Sequence, residues 1–180
     1  MIRAFIALPL PGETREALAM LQHMLPLSRR VPPENMHLTL AFLGDLDDET
    51  LEAVHDGLQA IAAPPIELKL AGVGTFGGDK PRSVHAQVAP GPELDALQAK
   101  VARAARSGGA QVASRSFVPH VTLSRERPRG PDLMRLEQGG AALSGWRAPP
   151  VRVEEFCLYR SDLGGGPARY TPLACYPLTG

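Results

Sequence analysis

His37-Leu38-Thr39-Leu40 and His120-Val121-Thr122-Leu123 are two short strings with one reading: histidine, apolar, threonine, apolar. Polar and apolar residues alternate with a period of two, the pattern of a strand with one buried face. Each string therefore sets its histidine and threonine on one face and its apolar pair on the other. If the two strands meet, one cleft receives two imidazoles and two hydroxyls. That set suits acid–base chemistry on a phosphate ester.

Outward from these strings, the pattern alternates between strand and helix. Residues 2–8 read as a strand ended by Pro9, and residues 12–25 carry Ala17, Leu18, Leu21 and Leu25 at helical spacing. The first histidine strand spans about 36–43 and stops at Gly44. Asp47 or Asp48 caps a helix whose stripe is Leu51, Val54, Leu58 and Ile61, ended by Pro64-Pro65. Strands are expected over 66–74 and 82–89, around a glycine-rich loop that contains Phe76. A helix over 92–107, the second histidine strand over 117–124, a short helix over 131–138 and strands over 151–159 and 169–177 complete the chain. The order β-α-β-α-β thus occurs twice. This predicts two related lobes in one domain, residues 1–180, with helices outside and each histidine strand facing a shared groove.

The bulk composition narrows the function classes. A hydrophobic fraction of 44% and a charged fraction of 21% describe a globular chain rather than a disordered one. Basic and acidic residues balance at 19 each, so any nucleic-acid contact is expected to be local, such as to a strand end. No apolar run approaches the ~20 residues of a membrane span, and no signal peptide is evident; the expectation is a cytoplasmic protein. Cys157 and Cys175 lie in separate strand-like segments and are expected to be buried small hydrophobes rather than a disulfide.

Histidine exchanges protons near neutrality, so two imidazoles across a substrate can act as acid and base in one displacement. A threonine hydroxyl on the same face can donate to a phosphoryl oxygen and stabilise charge that grows in the transition state. The alternatives are weaker. The spacings of a zinc site are missing, with no His-x-His, His-Glu-x-x-His or close cysteine pair. Gly72-Val73-Gly74-Thr75-Phe76-Gly77 is not followed by the Lys-Ser/Thr of a phosphate-binding loop. No serine or cysteine sits in a nucleophile elbow.

With both strings in hand, the chain resembles the 2H phosphoesterases, in particular the bacterial and archaeal RNA 2′,3′-cyclic phosphodiesterases, also called 2′-5′ RNA ligases. The resemblance rests on Ile2–Ala7, Val31–Gly44, Phe117–Arg125, Phe156–Ser161 and Gly166–Tyr170. It implies a bilobal α+β fold with a pseudo-twofold axis, β-sheets lining a central cleft and helices outside. It implies hydrolysis of an RNA terminal 2′,3′-cyclic phosphate to a 2′-phosphomonoester, without metal or other cofactor, and ATP-independent 2′-5′ ligation in reverse. His37 would be the proton donor and His120 the proton acceptor, with Thr39 and Thr122 on the phosphoryl oxygens. Arg125 matches a family arginine that holds the phosphate, and Arg82 a position beside the cleft. The expected partner is an RNA end, and the expected state a monomer. A small cyclic nucleotide as substrate, or RNA-end binding without catalysis, are the other readings the residues allow.

Strand parity makes two of these residues a test. In an unbroken strand Arg125 faces away from His120 and Thr122, and only a bulge or strand end near Ser124 brings it round. Phe42, with Phe76 a candidate for base stacking, likewise has the wrong parity for the His37 face and is expected in the core. His85 stands where the family the chain resembles often has a tryptophan, which would turn it to the groove; the residue type itself reads as a strand-surface histidine, and His23 and His55 sit on helices and read as structural or exposed.

Overall fold

Residues 1–179 are described by a computed structural model of the chain. The elements run β1 (Ile2–Pro9), α1 (Gly12–Met24), a 3₁₀ turn (Pro33–Asn35), β2 (His37–Leu46), α2 (Asp48–Gln59), β3 (Ile66–Leu68), β4 (Leu70–Phe76) and β5 (Ser83–Val88). They continue with α3 (Pro92–Ser107), β6 (His120–Ser124), α4 (Pro131–Ala142), β7 (Val151–Val153), β8 (Glu155–Asp162) and β9 (Arg169–Pro177). No described helix is long and apolar enough to cross a membrane.

Seven strands form one antiparallel sheet in the order β4-β5-β6-β2-β1-β8-β9, and β3 and β7 form a separate pair. The fold is α+β, as expected. The strands, however, are not shared out by chain halves. β4 and β5 cross over to pair with β6, and the C-terminal hairpin β8–β9 returns to β1. The repeated element order did not reveal this, because the pairing joins residues far apart in the chain.

The helices bury the stripes their spacing dictates. Leu18 and Leu21 of α1, Val54 and Leu58 of α2, and Leu94, Leu97 and Val101 of α3 all join one hydrophobic core. The inward residues of the strands, among them Leu38, Leu40, Val121 and Leu123, belong to the same core. Asp47 is the cap of α2, its carboxylate accepting the Thr50 N–H at 2.8 Å.

The middle of the sheet is a seam. β2 and β6 share the register pair Leu38↔Val121, and the neighbouring segment 29–31 continues along β6. Val31 N–H donates to the Leu123 carbonyl at 2.8 Å, and Arg125 N–H to the Arg29 carbonyl at 3.2 Å. Gln22, 2% exposed on α1, donates to the carbonyls of both Val31 and Leu123 at 2.8 Å. The buried carboxylate of Glu126 accepts from Arg29 N–H at 2.7 Å, from the Ser28 hydroxyl at 3.1 Å and from Ser28 N–H.

At the outer ends, β4 is bordered by segment 146–148. Gly72 N–H donates to the Trp146 carbonyl at 2.9 Å and Ala148 N–H to the Leu70 carbonyl at 3.1 Å. The other end, β9, carries Pro172 and Pro177. Cys157 and Cys175 stand directly opposite each other on β8 and β9, with Cα atoms 4.1 Å apart, and are joined by a disulfide. This corrects the expectation of two free buried cysteines. Facing register, which the sequence does not display, is what brings them together.

Candidate active site

β2 and β6 meet at the register pair Leu38↔Val121, so His37 and Thr39 flank the meeting point on one strand and His120 and Thr122 flank it on the other. The two imidazoles are close enough for the charge of His120 to act on His37.

Both rings are oriented by the same local device. His37 Nδ1 lies 2.7 Å from the carbonyl of Asn35, and His120 Nδ1 lies 2.8 Å from the carbonyl of Val118. A carbonyl only accepts, so in each ring Nδ1 carries the proton and Nε2 is the atom presented to the cleft. In both cases the carbonyl belongs to the residue two positions before the histidine. Asn35 is itself held, its side-chain amide donating to the Ala168 carbonyl at 2.7 Å. His37 Nε2 lies 2.9 Å from Thr39 Oγ1, which shows that one threonine hydroxyl reaches the reacting position.

Parity is reset in both strands by a bulge. On β6, Thr122 pairs with His85 while Ser124 pairs with Val84, so two steps on β6 match one on β5. Leu123 and Ser124 are both buried, and Arg125 emerges exposed on the side of His120 and Thr122. On β2, Thr39 pairs with Ala7 while Ala41 pairs with Ile6. Leu40 and Ala41 are both buried, and Phe42 emerges 56% exposed. The core placement expected for Phe42 is therefore wrong. Phe42 stands five residues after His37, and Arg125 five residues after His120. They are equivalent positions of the two strings.

Aromatic rings wall each histidine. His37 lies 4.9 Å from Phe5, 5.3 Å from Tyr170 and 6.5 Å from Tyr159, between ring centroids. Phe42 extends this wall, 6.3 Å from Phe5. His120 lies 4.7 Å from Phe76 and 5.2 Å from His85. His85 is 4% exposed, not the surface residue its strand pattern suggested. Arg82 is exposed on the β4–β5 hairpin, where its N–H donates to the Phe76 carbonyl at 2.8 Å. His23 is exposed, and His55 Nδ1 lies 2.7 Å from the Tyr176 hydroxyl. The sequence did not single out Phe5, Tyr159, Tyr170, Asn35 or Gln22. No sequence signal marks Asn35 beforehand, because it holds His37 through a backbone carbonyl, which every residue has.

The electrostatics favour neutral rings at rest. Burial, with smaller contributions from Arg125 and His120, lowers the His37 pKa from 6.5 to about 4, against the opposing hydrogen bond to Asn35. Burial also lowers His120, with Arg115 and Arg125 adding to the shift and the Val118 carbonyl opposing it. Arg125 attracts an anion to the site, and the anion's charge in turn favours a proton on an imidazole. Among the described residues, one grouping of three metal-ligating side chains occurs: Glu155, Cys157 and Cys175, on β8 and β9, with both sulfurs in the disulfide.

The chain is similar to known proteins over nearly its whole length. The family model of the 2′-5′ RNA ligase superfamily matches residues 10–165. An RNA 2′,3′-cyclic phosphodiesterase of Escherichia coli is 32% identical over 180 residues, covering 98% of this chain and 97% of the relative. One from Geobacillus stearothermophilus is 33% identical over 187 residues, and there the match covers 98% of this chain but 57% of the relative's length. Among solved structures, E. coli LigT complexed with 3′-AMP superposes with a TM-score of 0.83 at 30% identity, over 99% of both chains. TT0787 of Thermus thermophilus superposes with a TM-score of 0.74 at 31% identity, also over 99% of both.

Proposed function

This chain belongs to the 2′-5′ RNA ligase superfamily, and from that membership we propose that it hydrolyses the 2′,3′-cyclic phosphate at an RNA end to a 2′-phosphomonoester. The observation that carries the reading is the pair of imidazoles, each with Nδ1 tied to a backbone carbonyl and Nε2 facing the same cleft. Water attacks phosphorus as His120 Nε2 takes its proton. The bond from phosphorus to the 3′ oxygen breaks, and that oxygen takes a proton from His37 Nε2. Thr39, Thr122 and Arg125 hold the non-bridging oxygens as charge accumulates on them. Phe42 and Phe76 offer exposed and half-exposed rings on either side for the terminal bases, with Arg82 nearby on the Phe76 side. β2 and β6 each contribute one imidazole, so residues 1–180 act as one unit. A ribose 5′-hydroxyl in place of water, attacking phosphorus and expelling the 3′ oxygen by the same displacement, gives a 2′-5′ linkage driven by the cyclic phosphate without ATP.

The test is an RNA oligonucleotide ending in a 2′,3′-cyclic phosphate, incubated in EDTA with wild-type, His37→Ala and His120→Ala proteins. A 2′-phosphate product is expected, with kcat reduced ~10²–10⁴-fold in each variant and circular dichroism unchanged. Dependence on added metal, a 3′-phosphate product, or full activity in both variants would overturn the proposal. A nucleoside 2′,3′-cyclic phosphate run alongside shows whether the RNA chain itself contributes.

A further inference from the structure

We propose that His85 is a positioning residue: seated over Gly74 and stacked on Phe76, its ring forms the wall that fixes the plane of the His120 imidazole. The inference rests on the reading of His120 as proton acceptor. His85 pairs with Thr122 on one side and with Gly74 on the other, so all three residues lie on the cleft face of β4, β5 and β6. Its ring centroid is 4.3 Å from Phe76, nearly parallel at 27°, and 5.2 Å from His120 at 61°. Phe76 meets His120 edge-on at 4.7 Å and 77°. The three rings therefore touch pairwise, and His120 cannot tilt toward β5 without displacing the other two.

Room for this cluster comes from Gly74. A Cβ built there would stand 2.7 Å from His85 Nε2 and 2.9 Å from Gln87 Nε2, closer than real Cβ contacts allow. The missing side chain is what lets the His85 ring lie flat on the sheet beside His120. The placement has a cost. His85 Nδ1 is buried with no hydrogen-bond partner, which is unfavourable for a polar atom. Burial keeps the ring neutral at neutral pH, its pKa lowered to about 4. A neutral wall does not repel the proton that His120 receives, and it excludes water from that side of the ring. The other groups acting on His120 are Arg115, Arg125 and His37, with the Val118 carbonyl at Nδ1. His85 is thus the close neighbour that contributes shape rather than charge.

The test compares His85→Ala, His85→Phe, Gly74→Ala and the His85→Ala/Gly74→Ala double variant with wild type. Steady-state kinetics on the cyclic-phosphate RNA and NMR titration of the His120 imidazole are the readouts. A misplaced proton acceptor is expected to lower kcat ~10–10²-fold with KM within about threefold. In His85→Ala the His120 midpoint moves up toward its ordinary value as water enters. His85→Phe restores the wall and recovers most of kcat. Gly74→Ala, which pushes the His85 ring off its seat, reproduces the loss, and the double variant is no worse than His85→Ala alone. An unmoved His120 titration, additive losses in the double variant, or a phenylalanine no better than alanine would overturn the role. If wild-type protein turns over no cyclic phosphate, the proposed function fails, while the His120 titration still decides this inference.

Discussion

The acid–base pair makes its sharpest prediction about pH. Turnover needs one proton on the two imidazoles, placed on His37 and absent from His120. In the free protein His37 titrates at about 4, and His120 titrates below 6.5. The singly protonated pair is most abundant between these midpoints, which belong to the pair as a whole, and the fraction of that pair with its proton on His37 does not change with pH. A phosphodiester stays a monoanion throughout this range, so the substrate adds no limb of its own. The kcat/KM profile, which reports the free enzyme, is therefore a bell with its maximum on the acid side of 6.5. Above that it falls by about tenfold per pH unit, or about a hundredfold from pH 6.5 to pH 8.5. Bound substrate offsets the positive charge of Arg125, so the alkaline limb of kcat lies at higher pH than that of kcat/KM. Arg125→Gln removes a cation that lowers both histidines, and the alkaline limb of kcat/KM moves up with it. The assay is initial rates at low substrate, resolving 2′-phosphate product by anion exchange, in constant-ionic-strength buffers. A kcat/KM that is flat or rises from pH 6.5 to 8.5 would refute the reasoning, as would a limb that stays put in Arg125→Gln.

Thr39→Val or Thr122→Val removes one hydroxyl from the phosphoryl group, and kcat is expected to fall ~10²–10³-fold without a change in thermal unfolding. Gln22→Leu strips the side-chain donor from the Val31 and Leu123 carbonyls, and denaturant titration should show a loss of about 1–3 kcal/mol at unchanged m-value. Reduction of Cys157–Cys175, which closes a separation of 18 residues, should lower unfolding stability by about 3 kcal/mol, read as a drop in Tm with reductant. His37 and His85 have folded pKa values of about 4 against 6.5 when unfolded. The unfolded chain protonates first, so stability falls as pH drops from 6.5 to 4, by about 1.4 kcal/mol per pH unit per histidine. His85→Phe should remove one histidine's share of that slope.

The two histidine strings were legible because alternation is a local property. The alternation of histidine and threonine and the helix capped at Asp47 or Asp48 follow from patterns a few residues long, whereas the meeting of the two strings does not. Parity beyond the strings was not legible either. Leu40-Ala41 and Leu123-Ser124 each place two adjacent residues in the core, and nothing in a leucine followed by a small residue announces a bulge. Simple alternation therefore sent Phe42 inward, and it left Arg125 dependent on a bulge that only the strand register could show. The aromatic wall of His37 was hidden for another reason. Phe5, Tyr159 and Tyr170 come from β1, β8 and β9, and their convergence depends on the C-terminal hairpin returning to the first strand. The disulfide depends on that hairpin's register as well. Helix stripes, by contrast, needed no partner to be read, and Leu18, Leu58 and Leu97 are where their spacing put them.

An open sheet has two rows of backbone donors and acceptors at its ends, each a template on which another chain can build. Here both rows are interrupted. Segment 146–148 occupies hydrogen bonds of β4, and Pro172 and Pro177 remove donors from β9. Both features oppose strand addition at the ends of the sheet that carries the aromatic-walled cleft in its middle.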